Sequence, residues 1–155
     1  MKKIYLFLIF LTFGILLSSC SNKNNPIMNE LSSDEQYHYK NKDLGFELAL
    51  PSEFIYYQTQ RKESEDFVDL EIFVPTSDTD YPQEIQSYAK PIVVRIFNSD
   101  SWSDLGDNEK NIYEEIGEKK RKVYTIRFWS EIPKDWKDKW SGDMKNDLVK
   151  NFKIN

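Results

Sequence analysis

An apolar run that stops at a cysteine constrains this chain more than any other feature. Residues 4–17 (IYLFLIFLTFGILL) follow Met1-Lys2-Lys3 and precede Ser18-Ser19-Cys20. As a helix the run would be roughly 21 Å long at ~1.5 Å per residue. That is short for a hydrocarbon core of ~30 Å, which takes about 20 apolar residues. Two lysines followed by such a run read as a signal peptide rather than a permanent span. Cys20 is the only cysteine, so no intramolecular disulfide is available. Whatever follows must fold by packing alone.

Leu17-Ser18-Ser19-Cys20 resembles the bacterial lipobox: an aliphatic residue, two small residues, then cysteine. The resemblance implies a lipid thioether on Cys20 and cleavage after Ser19. Cysteine is required because a thiolate is the best nucleophile among side chains. A lone cysteine in an exported chain otherwise needs an explanation as a free or intermolecular thiol, and lipidation supplies one. Two or three acyl chains, at about 0.8 kcal/mol per buried methylene, make release from the membrane negligible. The expected location is a cell membrane or cell surface, lipid-anchored, on the extracytoplasmic face.

Removing residues 1–19 leaves 136 of 155 residues, one domain's length. Lys2 and Lys3 go with the signal, so 19 basic side chains face 26 acidic ones and the net charge becomes −7. That balance argues against nucleic acid as a partner. The expected organisation is a signal at 1–19, the lipidated cysteine and a flexible tether at 20–36, and one globular domain at 37–155. The tether segment is polar and rich in Asn and Ser. As a coil of about 16 residues it would span roughly 20–24 Å.

Alternation and β-branched or aromatic content place strands at 37–40, 46–50, 54–60, 67–74, 91–98 and 123–129. In the fourth of these, Val68, Leu70, Ile72 and Val74 share one face. The run at 91–98 is the most apolar and is expected to be central. Residues 61–66 read as a charged connection, 75–82 and 99–107 as loops, and 83–89 as a short helix or extended link. Residues 108–115 read as a helical turn or two, and 118–122 as a charged hairpin tip. Trp136, Trp140, Met144 and Leu148 recur every four residues, which predicts an amphipathic helix over 133–150, broken or kinked at Gly142. The sum is an α+β fold: an antiparallel sheet of about five or six strands with a C-terminal amphipathic helix packed on one face.

Residues 39–54 (YKNKDLGFELALPSEF) resemble the opening of PsbP-like domains. The shared pattern is a short strand, then Gly-Phe-x-hydrophobic-x-hydrophobic-Pro, then an aromatic, here Phe54. Residues 147–154 (DLVKNFKI) are similar to that family's final helix running into a Phe-containing last strand. The resemblance implies a PsbP-like sandwich with binding or assembly roles and no shared catalytic residues.

The residues offer little catalytic chemistry. His38 is the only histidine, so any Ser–His–Asp or Cys–His site would have to use it. With one histidine and Cys20 committed to lipid, a typical zinc site is excluded. Asp78 and Asp80, and Asp100, Asp104, Asp107 and Glu109, form acidic loops without EF-hand spacing, since Leu105 falls where the glycine is needed. Glycine is too scarce for a phosphate loop. Lys119 to Lys122 (KKRK) is a basic run at the hairpin tip. Trp102, Trp129, Trp136 and Trp140, with Tyr81 and Tyr88, are candidates to line a carbohydrate or peptide groove. Of these, Trp102, Tyr81 and Tyr88 make the possible binding surface, with Trp102 the one expected to be exposed, because it lies in a polar stretch.

These observations lead to an expectation of a non-enzymatic binding or assembly domain, with no cofactor and no metal. It would be held on the membrane through Cys20 and meet an envelope protein or component. A small-molecule or glycan-binding lipoprotein is the alternative, and an envelope hydrolase the third reading.

Overall fold

A computed structural model describes residues 31–155. The signal, the cleavage context Leu17-Ser18-Ser19 and the lipid attachment at Cys20 lie outside the described residues. A turn precedes the first strand. The Ser32 amide donates to the Gln36 carbonyl (2.9 Å) and the Gln36 amide to Asp34 Oδ1 (3.3 Å), so a turn leads into the first strand.

The described residues are mostly antiparallel sheet, eight strands in two sheets, with few helices. β1 (Gln36–Asn41) and β2 (Phe46–Pro51) form a hairpin, and the short β8 (Lys153–Ile154) pairs with the outer side of β2. The second sheet runs β3-β4-β5-β7-β6. Its strands are β3 (Gln58–Glu63), β4 (Phe67–Pro75), β5 (Tyr88–Asn98), β6 (Glu114–Lys119) and β7 (Lys122–Phe128). β5 is central, as its apolar sequence requires. Between β5 and β6 lie two short helices, α1 (Ser99–Asp104) and α2 (Asp107–Lys110).

Alternation decides what faces inward. Tyr37, Tyr39, Phe46, Leu48 and Leu50 of the small sheet share one buried cluster with Leu70, Ile72, Val74, Ile92, Val94 and Ile126 of the large one. The sheets are also linked by a hydrogen bond from the Tyr124 hydroxyl to the Leu44 carbonyl (2.9 Å). Gly45 makes that approach possible. Its φ is +78°, and a Cβ there would sit 3.2 Å from the tyrosine oxygen.

Several expectations are corrected. The strands do not join in one sheet, because β2 takes β8 as its second neighbour. The strand expected at 54–60 begins instead at Gln58, because Phe54 ends a 3-10 turn (Ser52–Phe54) and residues 55–56 form the bend after it. Arg61 to Glu63, read as connection, pair with Leu70 to Val68 as a charged edge strand, the usual protection of an open edge. Residues 99–104 are helix rather than loop, with the Ser103 hydroxyl donating back to the Ser99 carbonyl. The helical reading of 108–115 holds for its first residues only, since Glu114 already pairs with β7.

The C-terminal helix α3 is Gly142–Lys150, not 133–150. Ser141 caps it by accepting the Met144 amide (3.1 Å), which leaves Gly142 at the first helical position, where it costs little. Upstream, tertiary bonds override helix periodicity. Trp136 Nε1 donates to the Pro75 carbonyl (2.9 Å), and the indole packs edge-on against Phe54. Within α3 only Leu148 is fully buried, and it belongs to the shared core.

Candidate functional site

The face of β4, β5 and β7 turned away from the core carries the unusual chemistry. Asp69 and Glu71 are charged, yet only 5% and 4% exposed. Register places Asp69 opposite Arg95 and Val93 opposite Arg127. Buried charges must be paired, and these are. Arg95 Nε and Nη2 each lie 2.6 Å from a different Asp69 oxygen, and Nη1 donates to the Tyr113 hydroxyl (2.7 Å). The guanidinium also lies over the Phe67 ring, 3.6 Å from its centroid. Burial opposes the charge of Arg95, but the Asp69 contacts outweigh it and hold its pKa above the ordinary value.

Glu71 is served by two ammonium groups. Lys90 donates to Oε1 (2.8 Å). Lys62 lies 2.7 Å from Oε2, an ion pair outside hydrogen-bond alignment, which leaves that oxygen without a formal donor. Glu84 bridges the same lysines, close to Lys90 and 3.1 Å from Lys62. The Lys90 contact holds the Glu84 carboxyl below its usual range, against the opposing effect of burial, with Lys62 adding to it. Three acids (Asp69, Glu71, Glu84) therefore face three cations (Lys62, Lys90, Arg95). Arg127 is left over. Among the described residues no carboxylate lies within ion-pair distance of it, and its guanidinium lies over the Tyr113 ring, 5.8 Å from the centroid.

Two adjoining clefts open on this face. The first, about 520 Å³, is walled by Tyr81, Tyr88, Phe128 and Trp129, with the cations Lys90 and Arg127 and the carboxylates Glu84 and Glu131 also on its lining. The second, about 600 Å³, is lined by Phe67, Arg95, Phe97 and Tyr113. Ile112, 54% exposed, borders both.

The wall that carries Tyr81 is fixed by a polar clasp. Asp135 accepts from the Thr76 hydroxyl (2.7 Å) and the Ser77 amide (3.0 Å). Asp78 accepts the Lys134 amide (2.9 Å), and the Lys134 ammonium contacts Asp80. The acidic pair Asp78 and Asp80 thus ties two loops together. Asp100 in turn pairs with Arg121, and Glu109 caps α2 by accepting the Gly106 amide. Among the described residues no group of three or more His, Cys, Asp or Glu side chains gathers as a metal site would require. His38 is exposed and contacts Asp34 (2.9 Å), away from these clefts.

Of the three aromatics singled out from sequence, Tyr81 and Tyr88 lie together in the first cleft. Trp102 does not join them and is not exposed. It is half-buried on α1 against Phe97 (5.2 Å) and Tyr113 (6.4 Å), so it backs the second cleft instead of lining it. Its polar neighbours point to solvent while the helix turns the indole inward. Arg127, Lys90 and Glu84 were not foreseen. The signal was present: Val68, Leu70, Ile72 and Val74 on one face of β4 leave Asp69 and Glu71 on the other, and β7 sets Arg127 on the face opposite Ile126.

Among the described residues no helix is long and apolar enough to cross a membrane. No family model matches the chain, and no curated protein or solved structure matches it.

Proposed function

We propose that this chain is a lipid-anchored envelope protein, attached through Cys20, whose domain is a non-enzymatic binding module. Its ligand is a small organic anion with a flat or apolar body, taken into the cleft walled by Tyr81, Tyr88 and Trp129. The observation that carries this reading is Arg127, which shares the lining of that cleft with those aromatics and has no carboxylate within ion-pair distance among the described residues. A guanidinium presents a planar fork matched to carboxylate or phosphate, and aromatic side chains on the same lining offer faces for a flat ligand. The cleft volume lies within the ~300–1,000 Å³ typical of small-molecule sites. Acidic sugars meet these requirements, which favours the glycan- or small-molecule-binding alternative within the binding class.

A protein segment is the second reading, favoured by the continuity of the two clefts across Ile112. A hydrolase is disfavoured by the state of Glu84. Held ionised by two lysines, it is poorly placed to act as a general acid.

The PsbP-like assignment belongs to the same proposal. What supports it is an opening hairpin, with Phe46 and Leu48 pointing into the core, and a closing helix that runs through Phe152 into β8. A C-terminal helix laid across one sheet face is part of that assignment, with Leu148 as its supporting contact.

Two experiments test the reading. Labelled palmitate should enter the wild type and not Cys20→Ser; equal labelling of both removes the anchor. Glucuronate should raise the melting temperature at millimolar concentration and glucose should not. A charge-assisted bond of about 1.5–3 kcal/mol makes the expected loss of affinity in Arg127→Gln about tenfold to hundredfold. Equal effects of glucuronate on wild type and Arg127→Gln remove Arg127 from the site.

A further inference from the structure

We infer that the turn carrying Ile55 and Tyr56 rests on the lipid surface that holds the anchor. The inference rests on the reading of Cys20 as lipidated.

The turn is built against local preference. The Tyr57 amide donates to the Phe54 carbonyl (3.0 Å), closing a four-residue turn. Ile55 has φ −52° and ψ 134°, and Tyr56 has φ +61°. These angles describe a type II turn, whose third position ordinarily takes glycine or asparagine. A tyrosine with positive φ is rare. Turn tips are also ordinarily polar, yet Ile55 is 49% and Tyr56 65% exposed. Phe54 and Tyr57 on either side are completely buried. The apolar pair is therefore held out by a rigid base.

Position names the partner. Gln36, where the chain enters the domain from the anchor side, pairs with Pro51, four residues before Ile55. Leu31, 47% exposed, lies next to the turn that closes on Gln36. Three of the four large exposed hydrophobics among the described residues, Leu31, Ile55 and Tyr56, thus lie within five residues along the chain of the Gln36–Pro51 pair, at the end where the anchor segment arrives. Leu31 is the eleventh residue after Cys20. A tether of that length, coiled as its composition predicts, would span about 17–20 Å, which would keep this end near the headgroups. Tyrosine suits that depth, with an apolar ring and a polar tip. Two or three side chains bind lipid weakly alone, but tethering makes the contact intramolecular and raises its effective concentration. Glu53 lies two residues before Ile55, and Asp34 and Glu35 lie in the turn that leads into β1, so a zwitterionic surface fits this end better than an anionic one.

The test uses the full lipidated chain in phosphatidylcholine vesicles. Cys20 is consumed by lipid, so Ile55→Cys offers one thiol for a nitroxide. Asp43→Cys, in the turn at the other end of the β1–β2 hairpin, is the reference. The nitroxide at position 55 should be several-fold more accessible to oxygen than to a nickel chelate, relative to position 43. Aqueous accessibility at both positions, with palmitate present in the protein, overturns this inference alone. Absence of palmitate overturns the anchor reading and this inference with it. Matching melting curves for the two labelled proteins ensure that the comparison is between folded molecules.

Discussion

Arg95 closes on Asp69 with both arms of its guanidinium, 2.6 Å at each contact, while the same group lies flat over Phe67. Two charges on the pleated face of a central strand pair are thereby made compatible with burial. Removing one partner strands the other. Asp69→Ala should lower stability by about 3 kcal/mol, read as a shift of the urea midpoint at unchanged slope. Asp69→Leu combined with Arg95→Leu should recover most of that loss, because the penalty comes from an orphaned charge. A double variant as unstable as the single one contradicts this account of the pair.

Arg127 behaves oppositely. It has no carboxylate to lose among the described residues, so Arg127→Gln should change stability by no more than about 0.5 kcal/mol. A clear destabilisation in the absence of any ligand would mean that the guanidinium is structural.

How much of this was legible in the sequence depended on which force decided each element. β4, β5 and β7 were legible because core burial alternates with period two, and Val68, Leu70, Ile72 and Val74 report it directly. The helix expected from Trp136, Trp140, Met144 and Leu148 was only half there. Trp136 gains a hydrogen bond to Pro75 and a ring contact with Phe54, partners remote in sequence that no local period can announce. β3 was displaced for a related reason. Its charged residues 61–63 form strand because β4 offers them backbone partners. The cleft was partly legible. The sequence marks Tyr81 and Tyr88 as a pair, but the polar neighbours of Trp102 predict a solvent-facing indole where α1 turns it inward. The isolation of Arg127 depends on how every other charge pairs across strands.

The β6–β7 hairpin turns through Lys120 (φ 52°) and Arg121 (φ 59°), both left-handed. A two-residue turn of this kind favours Asn-Gly, and left-handed backbone costs roughly 1–2 kcal/mol for ordinary residues. The Arg121–Asp100 bridge is about 80% exposed on both sides, so it offsets little. Replacing Lys120 and Arg121 by Asn and Gly should raise stability by about 1 kcal/mol, seen as a higher melting temperature.

Tyr57 is 1% exposed, and its hydroxyl has no hydrogen-bond partner among the described residues. Tyr57→Phe should stabilise the fold by about 1 kcal/mol, since it removes an unsatisfied buried group. Burial, reinforced by Tyr39 and Tyr37, pushes the phenol up to about 12 from its ordinary 10. The unfolded chain therefore releases this proton first as pH rises. The contribution is intact below pH ~10 and is lost as pH climbs toward ~12. Melts between those values should show a steeper decline for wild type than for Tyr57→Phe, and identical slopes would contradict the assignment.

The intact mass of the mature protein, extracted from membranes of the producing cell, tests the central claim most directly. The account predicts a chain beginning at Cys20, with residues 1–19 absent and the added mass of a diacylglyceryl group on the cysteine. It also predicts that Cys20→Ser lacks that addition. A membrane-bound chain that retains residues 1–19, or one cleaved there with an unmodified thiol, would contradict it.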